Sequence, residues 1–221
     1  SSPAQAIAIS DNATWAALGG APAITGAMHA MLTAANDELI VAGDFTIGTS
    51  TVQVARGDLY QLQPVGTAMN APVHCVLELA NGDIVAGGEF TTAGGTTANH
   101  IAKWNGATWQ PLGSGVNNDV LALGCLPNGN LVAAGKFQIA GGQPADRIAE
   151  WDGTSWLPLA TGMNQAVHAL AVLDNGDLVA GGEFTQAGAI AADRVARWDG
   201  ANWQAMLPGF NNTVTALLKK S

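Results

Sequence analysis

The chain has 221 residues, 48% of them hydrophobic and 11% charged, enough apolar material for a packed core and too much for a disordered chain. The formal net charge is −9, and the 8 Lys plus Arg are scattered, so the basic patch that a nucleic-acid partner needs is missing. No apolar run approaches the roughly 18 residues of a membrane-spanning helix, which argues against membrane insertion.

Taken in chain order, the predicted elements are strands that return every 47 residues. Residues 6–10 read as a degenerate third strand, and Trp15 opens a fourth. First strands are expected near positions 28, 73, 120, 167 and 214. Second strands carry Val-Ala-Gly-Asp-Phe at 41–45, Val-Ala-Gly-Gly-Glu-Phe-Thr at 85–91 and 179–185, and Val-Ala-Ala-Gly-Lys-Phe at 132–137. Third strands end in Ile-Ala-Lys-Trp-Asn-Gly (101–106), Ile-Ala-Glu-Trp-Asp-Gly (148–153) and Val-Ala-Arg-Trp-Asp-Gly (195–200). Fourth strands open at Leu62, Trp109, Trp156 and Trp203. In the clearest copy the four strands are predicted over 167–173, 177–184, 194–198 and from Trp203 onward.

Asn81-Gly82, Asn128-Gly129 and Asn175-Gly176 separate first from second strands. Asn105-Gly106, Asp152-Gly153 and Asp199-Gly200 separate third from fourth. Such pairs accept the positive φ of tight hairpins. No helical periodicity competes, and a period in the forties with four strands predicts a β-propeller blade.

The paired Gly closing strand two, the aromatic closing strand three and the Trp opening strand four resemble kelch-type repeats. They are most similar to the Gly/Trp-rich repeats of secreted bacterial surface proteins and fungal cortical polarity-marker proteins. The resemblance covers nearly the whole chain and implies a fold more than a function, because such propellers host many roles. Blade length also matches five-bladed lectins of the tachylectin type, whose motifs are absent here. The expected fold class is all-β: a five-bladed kelch-like β-propeller of 47-residue four-stranded repeats, its fifth blade closed by both termini and lacking one strand.

A single domain is expected over 1–221, with blades at approximately 28–62, 73–109, 120–156, 167–203, and 214–221 with 1–15. Residues 213–218 are expected to supply the innermost strand of the last blade, and Lys219-Lys220-Ser221 stands where Asn-Gly-Asp is due. Three arrangements stay open: a piece of a longer repeat array, an irregular three-stranded blade, or a strand from another chain filling the gap. The first residue is Ser rather than Met, so the chain is expected to begin at a processed or engineered end.

Alternating strand direction puts the Asn-Gly and Asp-Gly hairpins on one face. The long loops fall on the other: 91–100, 138–147 and 185–194 within blades, and 66–72, 113–119, 161–166 and 208–213 between them. Binding is assigned to this long-loop face, around the central channel. Asn70, Asn117, Asn164 and Asn211 recur eight residues after each fourth-strand marker. They read either as a ring of amides for a polar ligand such as a sugar or as braces fixing the loops. Asn118, Asp119 and Gln165 differ between blades and are the candidates for specific contacts.

All seven Trp fall on repeat positions and are expected to pack between blades. His29, His74 and His168 share one place on the innermost strand, where hydrogen bonds between blades are expected rather than a metal. Asp44, Glu89 and Glu183, with Lys136 in the fourth copy, are expected to hold a loop or a neighbouring Arg. Cys75 and Cys125 lie about 10 Å apart in register, too far for a bridge, and are expected to be two buried free thiols. No catalytic triad, phosphate loop or zinc spacing is present.

The sequence therefore points to a non-catalytic recognition or structural module of a secreted or surface protein, without a cofactor. Its partner would be a protein or a carbohydrate, with neighbouring repeats of a longer chain or a strand from another chain as further contacts. A multivalent carbohydrate-binding lectin is the alternative, and a polysaccharide-acting enzyme the third reading. An extracellular or cell-surface location fits the acidic, Gly-rich and Lys-poor composition. The sequons Asn12-Ala13-Thr14 and Asn211-Asn212-Thr213 matter only in a eukaryotic secretory host.

Overall fold

The computed structural model describes residues 8–10, 15–17, 24–58 and 61–219. Four antiparallel sheets of four strands follow one another along the chain. The first comprises Ile24–Thr33, Leu39–Ile47, Ser50–Gly57 and Leu62–Pro64. The second comprises Val73–Glu78, Ile84–Gly88, Ile101–Trp104 and Trp109–Pro111. The third comprises Val120–Cys125, Leu131–Gly135, Ile148–Trp151 and Trp156–Pro158, and the fourth Val167–Val172, Leu178–Gly182, Val195–Trp198 and Trp203–Ala205. Within each sheet the strands pair in sequence order, and the first strands of successive sheets lie side by side. The architecture is all-β and propeller-like, with the first strands innermost.

Every residue of Ile84–Gly88, Leu131–Gly135 and Leu178–Gly182 is buried: the first two strands have a sheet on either flank, and the third has the previous sheet on one side and Val214 and Leu217 on the other. That is why they read as unbroken apolar runs rather than alternating ones. The core lies between sheets. Ile40, Ala42 and Val54 of the first meet Ile84, Ala86 and Phe90 of the second, and the pattern repeats from second to third and from third to fourth.

The paired glycines follow from this packing. A Cβ on Gly87 would lie 2.5 Å from Cγ1 of Val120 in the next sheet, and one on Gly88 2.2 Å from the Pro72 carbonyl. Gly181 and Gly182 repeat the arrangement against Val214 at 2.6 Å and the Ala166 carbonyl at 2.2 Å.

The turns between first and second strands are three-residue loops rather than two-residue ones. Leu79 N–H donates to the Asp83 carbonyl and Gly82 N–H to the Leu79 carbonyl, both at 2.8 Å, with Gly82 at φ 83°. One left-handed residue therefore suffices, and Asn81 Oδ1 closes the turn by accepting from Asp83 N–H at 3.1 Å. Across the adjoining strands run the pairs Glu38–Arg56, Asp83–Lys103 and Asp177–Arg197.

Ala8–Ser10 pairs antiparallel with Trp15–Ala17, the relation expected of a third and fourth strand. Residues 6 and 7 of the expected third strand lie outside the described residues. The expected innermost strand over 213–218 forms no ladder among the described residues; Val214 N–H instead makes a single bond to the Gly182 carbonyl at 3.1 Å. Both cysteines are free. Cys75 is buried, and burial drives its thiol far above the ordinary range. Cys125 is only half-buried, contrary to expectation, because it ends its strand beside the turn that follows.

Candidate binding face and inter-sheet clefts

The loops between second and third strands are held open by small hairpins: Thr92–Ala93 with Thr96–Thr97, Ile139–Ala140 with Gln143–Pro144, and Gln186–Ala187 with Ile190–Ala191. Each is pinned to the loop between its sheet and the previous one by a bridge, Met69 to Ala93, Val116 to Ala140 and Met163 to Ala187. The repeated Asn completes the pin. Asn117 Oδ1 accepts from the N–H groups of Gln138 and Ile139, both at 2.9 Å. Asn70 does the same for Thr91 and Thr92, and Asn164 for Thr185 and Gln186. Nδ2 of Asn70 and of Asn164 also donates to the hydroxyls of Thr91 and Thr185. These three side chains thus brace the loops that form the face.

The pattern Asn99-His100, Asp146-Arg147, Asp193-Arg194 has a backbone cause. His100, Arg147 and Arg194 take φ of 65°, 68° and 68°, a left-handed conformation unusual for side chains of this size. Each is over-determined by its bonds. Arg147 N–H and Nη1 both reach the Phe137 carbonyl, at 2.8 and 3.2 Å, and Arg194 repeats this at Phe184. His100 Nδ1 lies 3.2 Å from the Gly88 carbonyl.

Between these braces, among the described residues, lie three clefts at equivalent places. The first, about 230 Å³, is lined by Ser50, Thr51, Gln53, Thr67, Met69 and Trp109, among others. The second, about 310 Å³ and more open, is lined by Asn99, Ser114, Asn117 and Ile139. The third, about 200 Å³, is lined by Asp146, Thr161, Asn164 and Gln186. Thr67, Ser114 and Thr161 place a hydroxyl side chain at the same point in all three, at 47-residue intervals. Sequence reasoning found the Asn residues that border the clefts but not the clefts, because they arise between elements far apart in the chain.

The inner rim of the face is set by a bulge in the first strand of each of the four described four-stranded sheets. Register shifts between Met28 and Ala30, Val73 and Cys75, Val120 and Ala122, and Val167 and Ala169. The inserted residues are His29, His74, Leu121 and His168, and a bulge re-aims the side chain it carries. His29 bonds across sheets as expected, with Nδ1 3.0 Å from the Val73 carbonyl and its ring centroid 5.0 Å from that of His74. His74 and His168 do not. Their Nε2 atoms lie 3.0 and 2.9 Å from Oε1 of Glu89 and Glu183 in their own sheets. Glu89 and Glu183 therefore hold the bulged histidines of their own sheets rather than a loop or an Arg.

In the third sheet, where Leu121 replaces His, Lys136 Nζ pairs instead with Asp119 Oδ2 at 3.0 Å. Asn118 Oδ1 accepts from Asp119 N–H at 2.8 Å, and Gln165 and Asn211 are exposed. Among the described residues, no three His, Cys, Asp or Glu side chains are grouped so as to hold a metal ion.

A family model described as a domain of unknown function, the DUF5122 beta-propeller, matches residues 79–105. No curated protein matches the sequence. The chain is similar to the extracellular domain of a hybrid two-component system from B. thetaiotaomicron, with a TM-score of 0.55 at 10% identity. That match covers 88% of this chain and spans 30% of the length of that chain. It is also similar to the WD40 beta propeller domain of Doa1, with a TM-score of 0.51 at 14% identity, covering 90% of this chain and 74% of that one. Together with the sheet order these likenesses establish a β-propeller fold.

Proposed function

We propose that the chain is a non-catalytic recognition module of a secreted or surface protein that binds its partner, a protein or a glycan, on the long-loop face. The observation that carries this reading is the threefold return of a cleft between sheets, each bordered by a hydroxyl and by amide or carboxylate side chains on rigidly pinned loops. Asn118, Asp119 and Gln165 stand on the same face and break the repeat, which suits them to specific contacts. The secreted or surface setting is supported by composition and by the likeness to the extracellular domain of a two-component system.

The same reading takes the chain as a five-bladed kelch-like ring. The paired strands Ala8–Ser10 and Trp15–Ala17 belong to the fifth blade. Val214, seated on Gly181 as Val120 is on Gly87, supports an innermost strand for it.

The recurrence of the clefts also favours a narrower second reading, a multivalent carbohydrate-binding propeller, since several weak equivalent sites gain avidity together. A glycan-array screen followed by calorimetry tests both. Saturable binding of one sugar class at several equivalent sites per chain establishes the lectin. A partner whose binding weakens with Asn118→Ala and Gln165→Ala but not with Thr108→Ala, on the opposite face, establishes protein recognition there. Binding that fails only with the Thr108→Ala variant overturns the assignment of the face.

A further inference from the structure

The first cleft differs from its two counterparts in a way that the repeat does not require. Ten positions separate Phe45 from Ala55, where twelve separate the equivalent Phe90 and Ala102. In the first sheet the corresponding pairing, Thr46 with Thr51 and Ile47 with Ser50, is not a separate side hairpin but the continuation of Leu39–Ile47 and Ser50–Gly57.

In later sheets the loop between sheets is tied down by a main-chain bond. Val116 N–H reaches the Asn99 carbonyl at 3.1 Å, Met163 the Asp146 carbonyl at 2.9 Å, and Phe210 the Asp193 carbonyl at 3.0 Å. In the first sheet a side chain takes the place of that carbonyl. Gln53, 4% exposed and the one buried polar residue among those described, accepts from Met69 N–H through Oε1 at 2.9 Å.

The approach itself is also prevented. Gly115 and Gly162 sit so close to the opposing strand that a Cβ would meet the Asn99 and Asp146 carbonyls at 2.3 and 2.0 Å. The first sheet has Ala68 at that point, so its loop must stand off. The gap is the cleft of about 230 Å³, and it alone of the three is lined by the strand-four Trp, Trp109.

We infer that this cleft is a binding site for one neutral polyhydroxylated ring, a single sugar residue, distinct from the two more open copies. The inference deepens the recognition reading above and rests on it. No charged side chain lines the cleft, so a charged ligand finds no partner there. Ser50, Thr51 and Thr67 bring hydroxyls, while Met69 and Trp109 bring apolar surface for the C–H face of a ring. With Oε1 held by Met69, what Gln53 offers a ligand is its Nε2 donor pair. The volume falls below the roughly 300–1,000 Å³ of sites for drug-sized ligands, which limits the occupant to about one ring.

The test is a titration of the ¹⁵N-labelled chain with glucose, galactose, mannose and N-acetylglucosamine, read at the indole N–H of Trp109. The expected result is a saturable shift of Trp109 with one of these sugars, with Trp156 and Trp203 unmoved and an affinity that is the same at low and high salt. Thr67→Val should weaken that binding about tenfold, the worth of one hydrogen bond. Ser50→Phe, which fills the cleft, should abolish the shift and serves where Thr67→Val does not fold. Shifts at the side-chain amides of Asn117 and Asn164 without one at Trp109 overturn the inference while leaving the recognition face in place. Silence at all three clefts overturns it too, and with it the lectin reading, but not protein recognition.

Discussion

Trp109 Nε1 donates to the Val65 carbonyl at 3.0 Å, across the boundary between the first and second sheets. Trp156 reaches Leu112 at 2.9 Å and Trp203 reaches Leu159 at 3.2 Å, so each of these three strand-four Trp residues clasps the sheet before it. The strand-three partner leans on it, with ring centroids 5.3 to 5.6 Å apart at 49° to 54°. Burial, one hydrogen bond and one aromatic contact therefore converge on a single residue per repeat. Trp156→Phe keeps most of the buried surface but leaves the Leu112 carbonyl without its donor. It should cost about 1–3 kcal/mol, read as a lower urea midpoint at unchanged slope.

Much of this was legible in the sequence. The Trp spacing, the Gly pairs and the Asn-Gly turns each state a local requirement that does not depend on the rest of the fold, so a repeat of 47 residues displays them directly. The bulge at His74 was not legible. It exists only as a mismatch between two strands, and without it His74 could not be assigned to Glu89 rather than to the next sheet. The cleft at Gln53 was hidden for the opposite reason. The first repeat looks merely degenerate in sequence, and its missing residues become informative only beside the carbonyl that Gln53 replaces.

Ala160 takes φ 53°, where the equivalent Gly66 and Gly113 sit at 67° and 58°. A left-handed Ala is strained by roughly 1–2 kcal/mol, whereas Gly adopts this region freely at an entropic cost of roughly 0.5–1 kcal/mol. Ala160→Gly should therefore stabilise the fold by about 0.5–1 kcal/mol, which thermal unfolding would show as a rise in Tm. Ala160 is exposed, so no buried contact is lost in the exchange.

Asn117 separates the two roles that its position allows. Its Oδ1 holds the N–H groups of Gln138 and Ile139, and Asn117→Ala frees both. The loss should be about 1 kcal/mol, since the site is exposed and water replaces part of each bond. Amide hydrogen exchange should accelerate at Gln138 and Ile139 while the innermost strand Val120–Cys125 stays protected. Unchanged exchange at those two amides would remove the bracing role.

Acid should weaken the fold through the turns. Asp152 is held below the usual carboxylate value of 3.8 by the backbone N–H groups of Ser155 and Thr154, and Asp199 by those of Asn202 and Ala201. The Lys103 ammonium does the same for Asp83, and Asn36 with Arg56 for Glu38. For a group depressed in the folded state, the unfolded chain binds the proton first as pH falls. The stabilisation is therefore complete above about pH 5 and is lost as pH drops through 3.8 toward the folded values. Urea unfolding between pH 6 and about 3 should show stability falling with acid. Asp152→Ala should flatten that dependence while lowering stability at neutral pH, because the turn at Gly153 loses the acceptor that closes it. A pH profile as steep as that of the parent chain would mean that the turn carboxylates are not what titrates.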